Sequence, residues 1–314
     1  MTENKIHVIS LSPALDYILK FDNFEKDKTN RPIATEIYPA GKGIHIAMLL
    51  KNLNIDSESL IFTNGNFEKF FYKGLDKIGL KYTKFQSQGE IRINLKLIDD
   101  LQTECSVPSS HISNEELKKL RNHLWNTVKP NDFVIVSGSI PEGVESSIYG
   151  EIVDLCNSLG ARSVVDSFGE SLNVAIEKKP FLIKPNLEEL AITTNLTIKT
   201  DHEVVKAARL LINKGAENVL VSLGSRGAIF VTKEQAFKCP IGNWPHQLVN
   251  AAGAGDSMLA GFLSELLQNK DYQTALKTGV ICGSATAYST RIADFSLIQE
   301  LKQTINSLPI TNFN

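Results

Sequence analysis

The stretch FVIVSGSIPEGVESSIYGEIVDLCNSLGARSVV, Phe133 to Val165, decides the fold. Phe133–Val136 is a short, β-branched apolar run. Ser147–Leu159 carries apolar residues at helical spacing, and Ser163–Val165 returns to an apolar run. The same alternation extends outward. Ile6–Ile9, Phe181–Ile183, Val219–Leu223 and Ala228–Val231 read as strands. Ile44–Leu53, Glu115–Val128, His202–Asn213 and Ser257–Gln268 read as helices. Ile46, Leu49, Leu50 and Leu53 share a face of the first, and Ser113-Asn114 forms a cap before the second. Strand–helix repetition of this kind predicts an α/β fold, a mostly parallel sheet with helices on both faces. In such sheets ligands bind beyond the carboxyl ends of the strands.

Two regions leave the pattern. Tyr17–Pro39 and Gly89–Val107 are extended rather than helical, and Ile91–Leu97 alternates apolar and polar residues as a sheet with one wet face does. We read segments 16–39 and 89–108 as a small β-sheet inserted in a single domain spanning 1–314, either a lid over the site or an extension with no gating role. Length alone allows about two domains or one large α/β unit. With 42% hydrophobic and 22% charged residues the chain is globular, and Lys+Arg 33 against Asp+Glu 35 gives no basic excess for nucleic acid or anionic membrane. Met1–Ser10 lacks a signal-peptide core, and no apolar run approaches the ~18 residues of a membrane helix. Cys105, Cys156, Cys239 and Cys282 lie far apart, with no CxxC pair. A cytoplasmic protein is expected.

Chemistry concentrates in loops that follow strands. Val249-Asn250-Ala251-Ala252-Gly253-Ala254-Gly255-Asp256 runs small residues into a helix. Unpaired amides at such a junction, with the helix dipole, make an anion-binding nest. Asp256 is then either an N-cap or a general base beside a substrate hydroxyl. Ser222-Leu223-Gly224-Ser225-Arg226-Gly227 joins two strands, as a hairpin turn or as a phosphate-approaching loop. Lys184-Pro185-Asn186 with Glu189 opens a helix, and Asn186 and Glu189 are candidates for a hydrated Mg²⁺. Ser137-Gly138-Ser139-Ile140-Pro141 ends another strand. No GxxxxGK[ST] occurs, and neither Gly41-x-Gly43 nor Gly253-x-Gly255 completes a dinucleotide fingerprint.

In chain order, Ser12-Pro13-Ala14-Leu15-Asp16, Ala40-Gly41-Lys42-Gly43-Ile44-His45, Arg92-Ile93-Asn94, Gly138-Ser139-Ile140-Pro141-Glu142-Gly143, Lys184-Pro185-Asn186 with Glu189, Ser222–Gly227 and Gly253–Asp256 form a set. This set resembles the PfkB (ribokinase-like) carbohydrate kinases, most closely the 1-phosphofructokinase and tagatose-6-phosphate kinase branch. The resemblance implies a Rossmann-like domain with a β-lid, MgATP as phosphoryl donor and a ketohexose monophosphate as acceptor. It places Asp256 as base and Gly253, Ala254 and Gly255 as anion hole. Lys184, Asn186, Ser222, Leu223, Gly224, Ser225, Arg226, Gly227, Gly255 and Ser284 fall on the ATP side. Asp16, Gly41, Lys42, Arg92, Asn94, Ser139 and Asp256 fall on the sugar-phosphate side. Lys42 and Arg92 carry the charge to neutralise a phosphate dianion. A homodimer through the lid is implied as well. Ser12, Ala40, His45 and Glu68 depart from the branch pattern, all in the sugar half or lid, so the acceptor stays open. A kinase of an unphosphorylated sugar or nucleoside, or a non-catalytic nucleotide or sugar-phosphate sensor, are the rival readings.

Overall fold

The computed structural model describes residues 4–268 and 270–313. The strands in chain order are β1 (Ile6–Ser10), β2 (Ala14–Lys20), β3 (Ala34–Ala40), β4 (Ser57–Thr63), β5 (Tyr82–Gln86), β6 (Arg92–Ile98), β7 (Gln102–Cys105), β8 (Phe133–Ser137), β9 (Arg162–Asp166), β10 (Leu182–Ile183), β11 (Asn218–Ser222), β12 (Ala228–Val231), β13 (Ala236–Cys239) and β14 (Thr311–Phe313). Ten of them form one sheet in the order β14-β13-β12-β11-β10-β9-β8-β1-β4-β5. From β11 to β5 every neighbour is parallel, and β12, β13 and β14 extend one edge antiparallel. The central strands β1 and β8 are buried at every position, which is why they read as unbroken apolar runs.

Helices cover both faces. Lys42–Asn52, Ala254–Leu267 and Tyr272–Ala287 pack Ile46, Leu49, Phe262, Leu263 and Val280 on one side. Asn114–Thr127, Ile148–Leu159 and Asp201–Lys214 pack Leu120, Leu124, Ile152, Val153 and Leu211 on the other. Ser113 caps the helix Asn114–Thr127, as its position predicts. The helix read over Ser257–Gln268 begins earlier, at Ala254, because Gly253 takes a left-handed φ of 79° and turns the chain there.

The two extended excursions pair as a separate sheet, β3-β2-β6-β7. The alternation in β6 does not say which face is covered. The polar residues of β6, Asn94 and Lys96, are the buried set, whereas Ile93, Leu95 and Leu97 are half-exposed. The reason is pairing: Asn94 lies opposite Asp16 of β2, which bonds both Asn94 and Lys96 beneath the sheet. At its root the lid packs Leu15 and Ile91 against Phe71 and Leu75 of the helix Glu68–Ile78.

Candidate active site

The loops singled out in the sequence follow carboxyl ends of the parallel strands and line two clefts there. Gly253 is the N-cap of the helix Ala254–Leu267, which makes Asp256 its third residue. Asp256 makes no capping hydrogen bond; its Oδ2 lies 3.0 Å from Nδ1 of His45, and it is 6% exposed. Geometry therefore removes the capping role from the two roles open to Asp256. The loop before it is pinned: Ala252 N–H donates to Asn250 Oδ1 at 3.0 Å, and Asn250 Nδ2 donates to Thr290 O at 3.2 Å. The amides of Gly253, Gly255 and Asp256 find no acceptor among the described residues, so three N–H groups remain for an anion.

On one side of this loop lies a cleft of about 650 Å³. Asn186, Ser222, Leu223, Gly224, Ser225, Gly255 and Ser284 line it, with apolar Ile241, Leu248, Met258 and Val280. Ser222–Gly227 is a hairpin turn whose start lies at this cleft. It joins antiparallel β11 and β12 through a tight turn at Gly224–Arg226, and its first half faces the cleft. Arg226 and Gly227 do not. The Arg226 guanidinium turns to Asp201 at 3.4 Å, and Gly227 backs directly onto the carbonyl of Cys239, where a side chain has no room. Asn186 and Glu189 bond one another in a capping box, Asn186 N–H to Glu189 Oε2 and Glu189 N–H to Asn186 Oδ1, both at 2.8 Å. Among the described residues no cluster of three or more acidic, His or Cys side chains could hold a metal by itself.

A separate cleft of about 340 Å³ is lined by Gly41, Lys42, Arg92, Ser139, Ser12 and Ser106. Lys42 is less free than its sequence suggests. Its Nζ lies 2.9 Å from Oδ1 of Asp166, and Nζ of Lys184 lies 3.3 Å from Oδ2 of the same carboxylate. Burial opposes ionisation of Asp166, but Lys184 and Lys42 outweigh it and hold the carboxyl below its usual range. Burial likewise works against the Lys42 charge, and Asp166, with Asp256 behind it, overcomes it and raises the ammonium. Arg92 has no carboxylate partner among the described residues. It donates to the carbonyls of Ser12 (3.0 Å), Val107 (3.2 Å) and Pro13 (3.4 Å), which aim it without neutralising it. Burial lowers its pKa, with Asp16 and Glu104 opposing. Asp16 and Asn94 do not line this cleft. They are buried in the lid, Asn94 Nδ2 donating to Asp16 Oδ1 at 3.0 Å and Lys96 pairing with Asp16 at 2.7 Å.

Two residues outside the expected set belong here. Asp166 ends β9, at a carboxyl end where a ligand site is anticipated, and that position was its signal. His45 touches Asp256 from 211 positions away, a contact with no local signature.

The model of the pfkB family carbohydrate kinases matches residues 4–295. The chain belongs to the PfkB family of carbohydrate kinases. It is 34% identical over 297 residues to a 1-phosphofructokinase of Bacillus subtilis, covering 94% of this chain and 97% of that one. It is 30% identical over 286 residues to a tagatose-6-phosphate kinase of Staphylococcus epidermidis, covering 90% and 92%. Its fold matches that of phosphofructokinase-2 from Escherichia coli in complex with fructose-6-phosphate, with a TM-score of 0.88 at 24% identity over 98% of this chain and all (100%) of that one. The chain is accordingly a PfkB sugar-phosphate kinase, an ATP-using enzyme that phosphorylates a hydroxyl. Among the described residues no helix is long and apolar enough to cross a membrane.

Proposed function

We propose that this kinase moves the γ-phosphoryl of ATP to a hydroxyl of a ketohexose 1- or 6-phosphate, giving a bisphosphate, with fructose 1-phosphate the leading acceptor. One observation carries the reading: Gly255 and the loop before Asp256 line a long, partly apolar cleft, and Lys42, whose ammonium senses the Asp256 charge, lines a second cleft with an arginine that has no carboxylate partner among the described residues. The first suits a nucleotide and the second a sugar phosphate. The similarity to the Bacillus subtilis 1-phosphofructokinase favours fructose 1-phosphate, and the 30% likeness to tagatose-6-phosphate kinase keeps tagatose 6-phosphate next.

In this mechanism Asp256 Oδ1 accepts the hydroxyl proton as that oxygen bonds to the γ-phosphorus. The bond from the γ-phosphorus to the β–γ bridging oxygen breaks, and ADP leaves. The amides of Gly253 and Gly255 meet the charge spread over the phosphoryl oxygens. Lys184, beside Gly255, and Lys42 add positive potential whose excess Asp166 limits. Ser222, Leu223, Gly224, Ser225 and Ser284 form the nucleotide walls. Arg226 and Gly227 shape the turn. Mg²⁺ entering with ATP would supply further positive charge to the transferring group. Glu189 and Asn186 suit it through water, since the capping box leaves Glu189 Oε1 free and this carboxylate also raises the Lys42 ammonium across the cleft. Arg92 would hold the acceptor's phosphate, while Asp16 and Asn94 act by shaping the lid above it. Leu95 and Leu97 on the lid's outer face, with exposed Leu101 and Ile33 nearby, support a homodimer through the lid. The chemistry is that of cytoplasmic sugar metabolism.

The test is ATP consumption over fructose 1-phosphate, tagatose 6-phosphate, fructose 6-phosphate and free fructose, repeated with Arg92→Gln. A lost charge-assisted contact of about 2–3 kcal/mol raises KM for the phosphorylated acceptor roughly 30- to 150-fold and leaves free fructose unaffected. Equal efficiency on fructose and fructose 1-phosphate in the native enzyme would refute the phosphate-holding role.

A further inference from the structure

We propose that His45 is a positioning residue for phosphoryl transfer: its ring N–H holds one oxygen of Asp256 so that the other is presented to the acceptor hydroxyl. The inference rests on Asp256 being the base. Nδ1 of His45 and Oδ2 of Asp256 are 3.0 Å apart, with the side chains only 15% and 9% exposed. An ionised carboxylate only accepts, so Nδ1 carries the shared hydrogen. A neutral ring then leaves Nε2 without one.

The ring lies close to the turn that precedes Asp256. A side chain on Gly253, at φ 79°, would sit 2.7 Å from Ile292 Cδ1 and 3.3 Å from Nδ1, so glycine at this turn leaves the imidazole room beside the carboxylate. The ring also lines a separate cavity of about 230 Å³ with Met48, Ile78 and Ile292 from the body and Tyr38 and Lys96 from the lid. His45 thus lies between the base and a cavity that the small sheet helps to line, on the helix that starts in the Gly41–Gly43 turn.

A carboxylate free to turn about its last bond offers either oxygen in many directions. Fixing Oδ2 leaves Oδ1 as the proton acceptor in one direction, and reactive geometry tolerates little error. Chain chemistry supplies a discriminating substitution. In Asn the side-chain nitrogen is bonded to Cγ, as Nδ1 is in His. Asn can therefore donate from the same branch point, whereas Gln carries its nitrogen one bond too far and Leu has none.

The experiment measures kcat and the two KM values with MgATP and fructose 1-phosphate, and the thermal midpoint, for His45→Asn, His45→Gln, His45→Leu and Asp256→Asn. The loss of a hydrogen bond to a charged group corresponds to a drop of about 10- to 100-fold in kcat for His45→Leu and His45→Gln, with both KM values little changed. His45→Asn recovers most of that turnover. Wild-type kcat in His45→Leu, an Asn variant no better than Leu, or a loss confined to KM for the sugar phosphate would each overturn the proposal. The last outcome would make His45 a sugar contact instead. If Asp256→Asn itself turns over normally, the assignment of the base fails, and that result is distinct from a failure of His45. Should His45→Leu fold poorly, the comparison of Asn with Gln decides alone.

Discussion

Replacing Asp166 by Asn removes one negative charge from between two ammonium groups, one buried and one half-buried, and changes almost nothing in shape. Asp166 is fully buried, and Lys184 beside it is 5% exposed, so little water can replace the lost carboxylate. Lys42 is easier to satisfy, its side chain being 34% exposed. Removing one partner of a buried ion pair costs about 3–5 kcal/mol. We expect the lower end, about 3 kcal/mol, since Lys42 retains solvent. At about 2 °C per kcal/mol for a chain of this size, the thermal midpoint at pH 7 falls by about 6 °C. The sign with pH follows from the lowered pKa of Asp166. Its contribution is present above the ordinary carboxylate pKa and fades as pH falls through the folded value, so the native protein and the variant converge in acid. A nucleotide triphosphate over the same lysines supplies the missing negative charge, so MgATP raises the midpoint more in Asp166→Asn than in the native enzyme. Circular dichroism melts with and without MgATP measure both effects. A midpoint within about 1 °C of native, at every pH, would refute the reasoning.

Two further perturbations probe other parts of the fold. The Glu58 carboxyl is pulled down to about 2, first by His7, whose Nδ1 lies 3.5 Å from Glu58 Oε2, and against the effect of burial, with Thr83 and His123 assisting. Its stabilisation is complete above the ordinary value near pH ~4.3 and lost as pH falls through the folded one. Because Glu58 keeps substantial solvent contact the effect is modest, about 1 kcal/mol or less. Urea midpoints should decline less steeply in Glu58→Gln between neutral pH and pH 2, and parallel curves would contradict this. Gly253→Ala places a methyl group 2.7 Å from Ile292 Cδ1 on a backbone with φ 79°. Strain of about 1–3 kcal/mol should lower kcat by 5-fold or more, and unchanged kcat would mean that the loop has another way to hold His45 and Asp256.

Much of this architecture is readable from local sequence because its demands are local. A strand buried on both faces has to be apolar throughout, as in Phe133–Ser137, and a turn that presents amides has to be small, as in Ala251–Gly255. The structure sets Ser222 and Gly255 in one cleft and Gly41 and Ser139 in another. What escaped the sequence depends on pairing at a distance. The alternation of Arg92–Ile98 announces two faces but not which is covered, and Asp16 buries the polar one. Lys42 reads as a free cation until β9 places Asp166 against it, 124 positions away. Asp256 looks like a cap only while the helix start is misplaced, and the left-handed φ of Gly253 moves that start.

The central claim is that Asp256 meets the acceptor hydroxyl beside the γ-phosphorus, in front of the open amides of Gly253 and Gly255. A crystal structure with fructose 1-phosphate and a non-hydrolysable MgATP analogue tests it most directly. The account predicts the terminal phosphate against those two amides and the acceptor oxygen about 2.6–3.2 Å from Asp256 Oδ1. A terminal phosphate lying elsewhere in the 650 Å³ cleft, or an acceptor with no hydroxyl near that carboxylate, would contradict it.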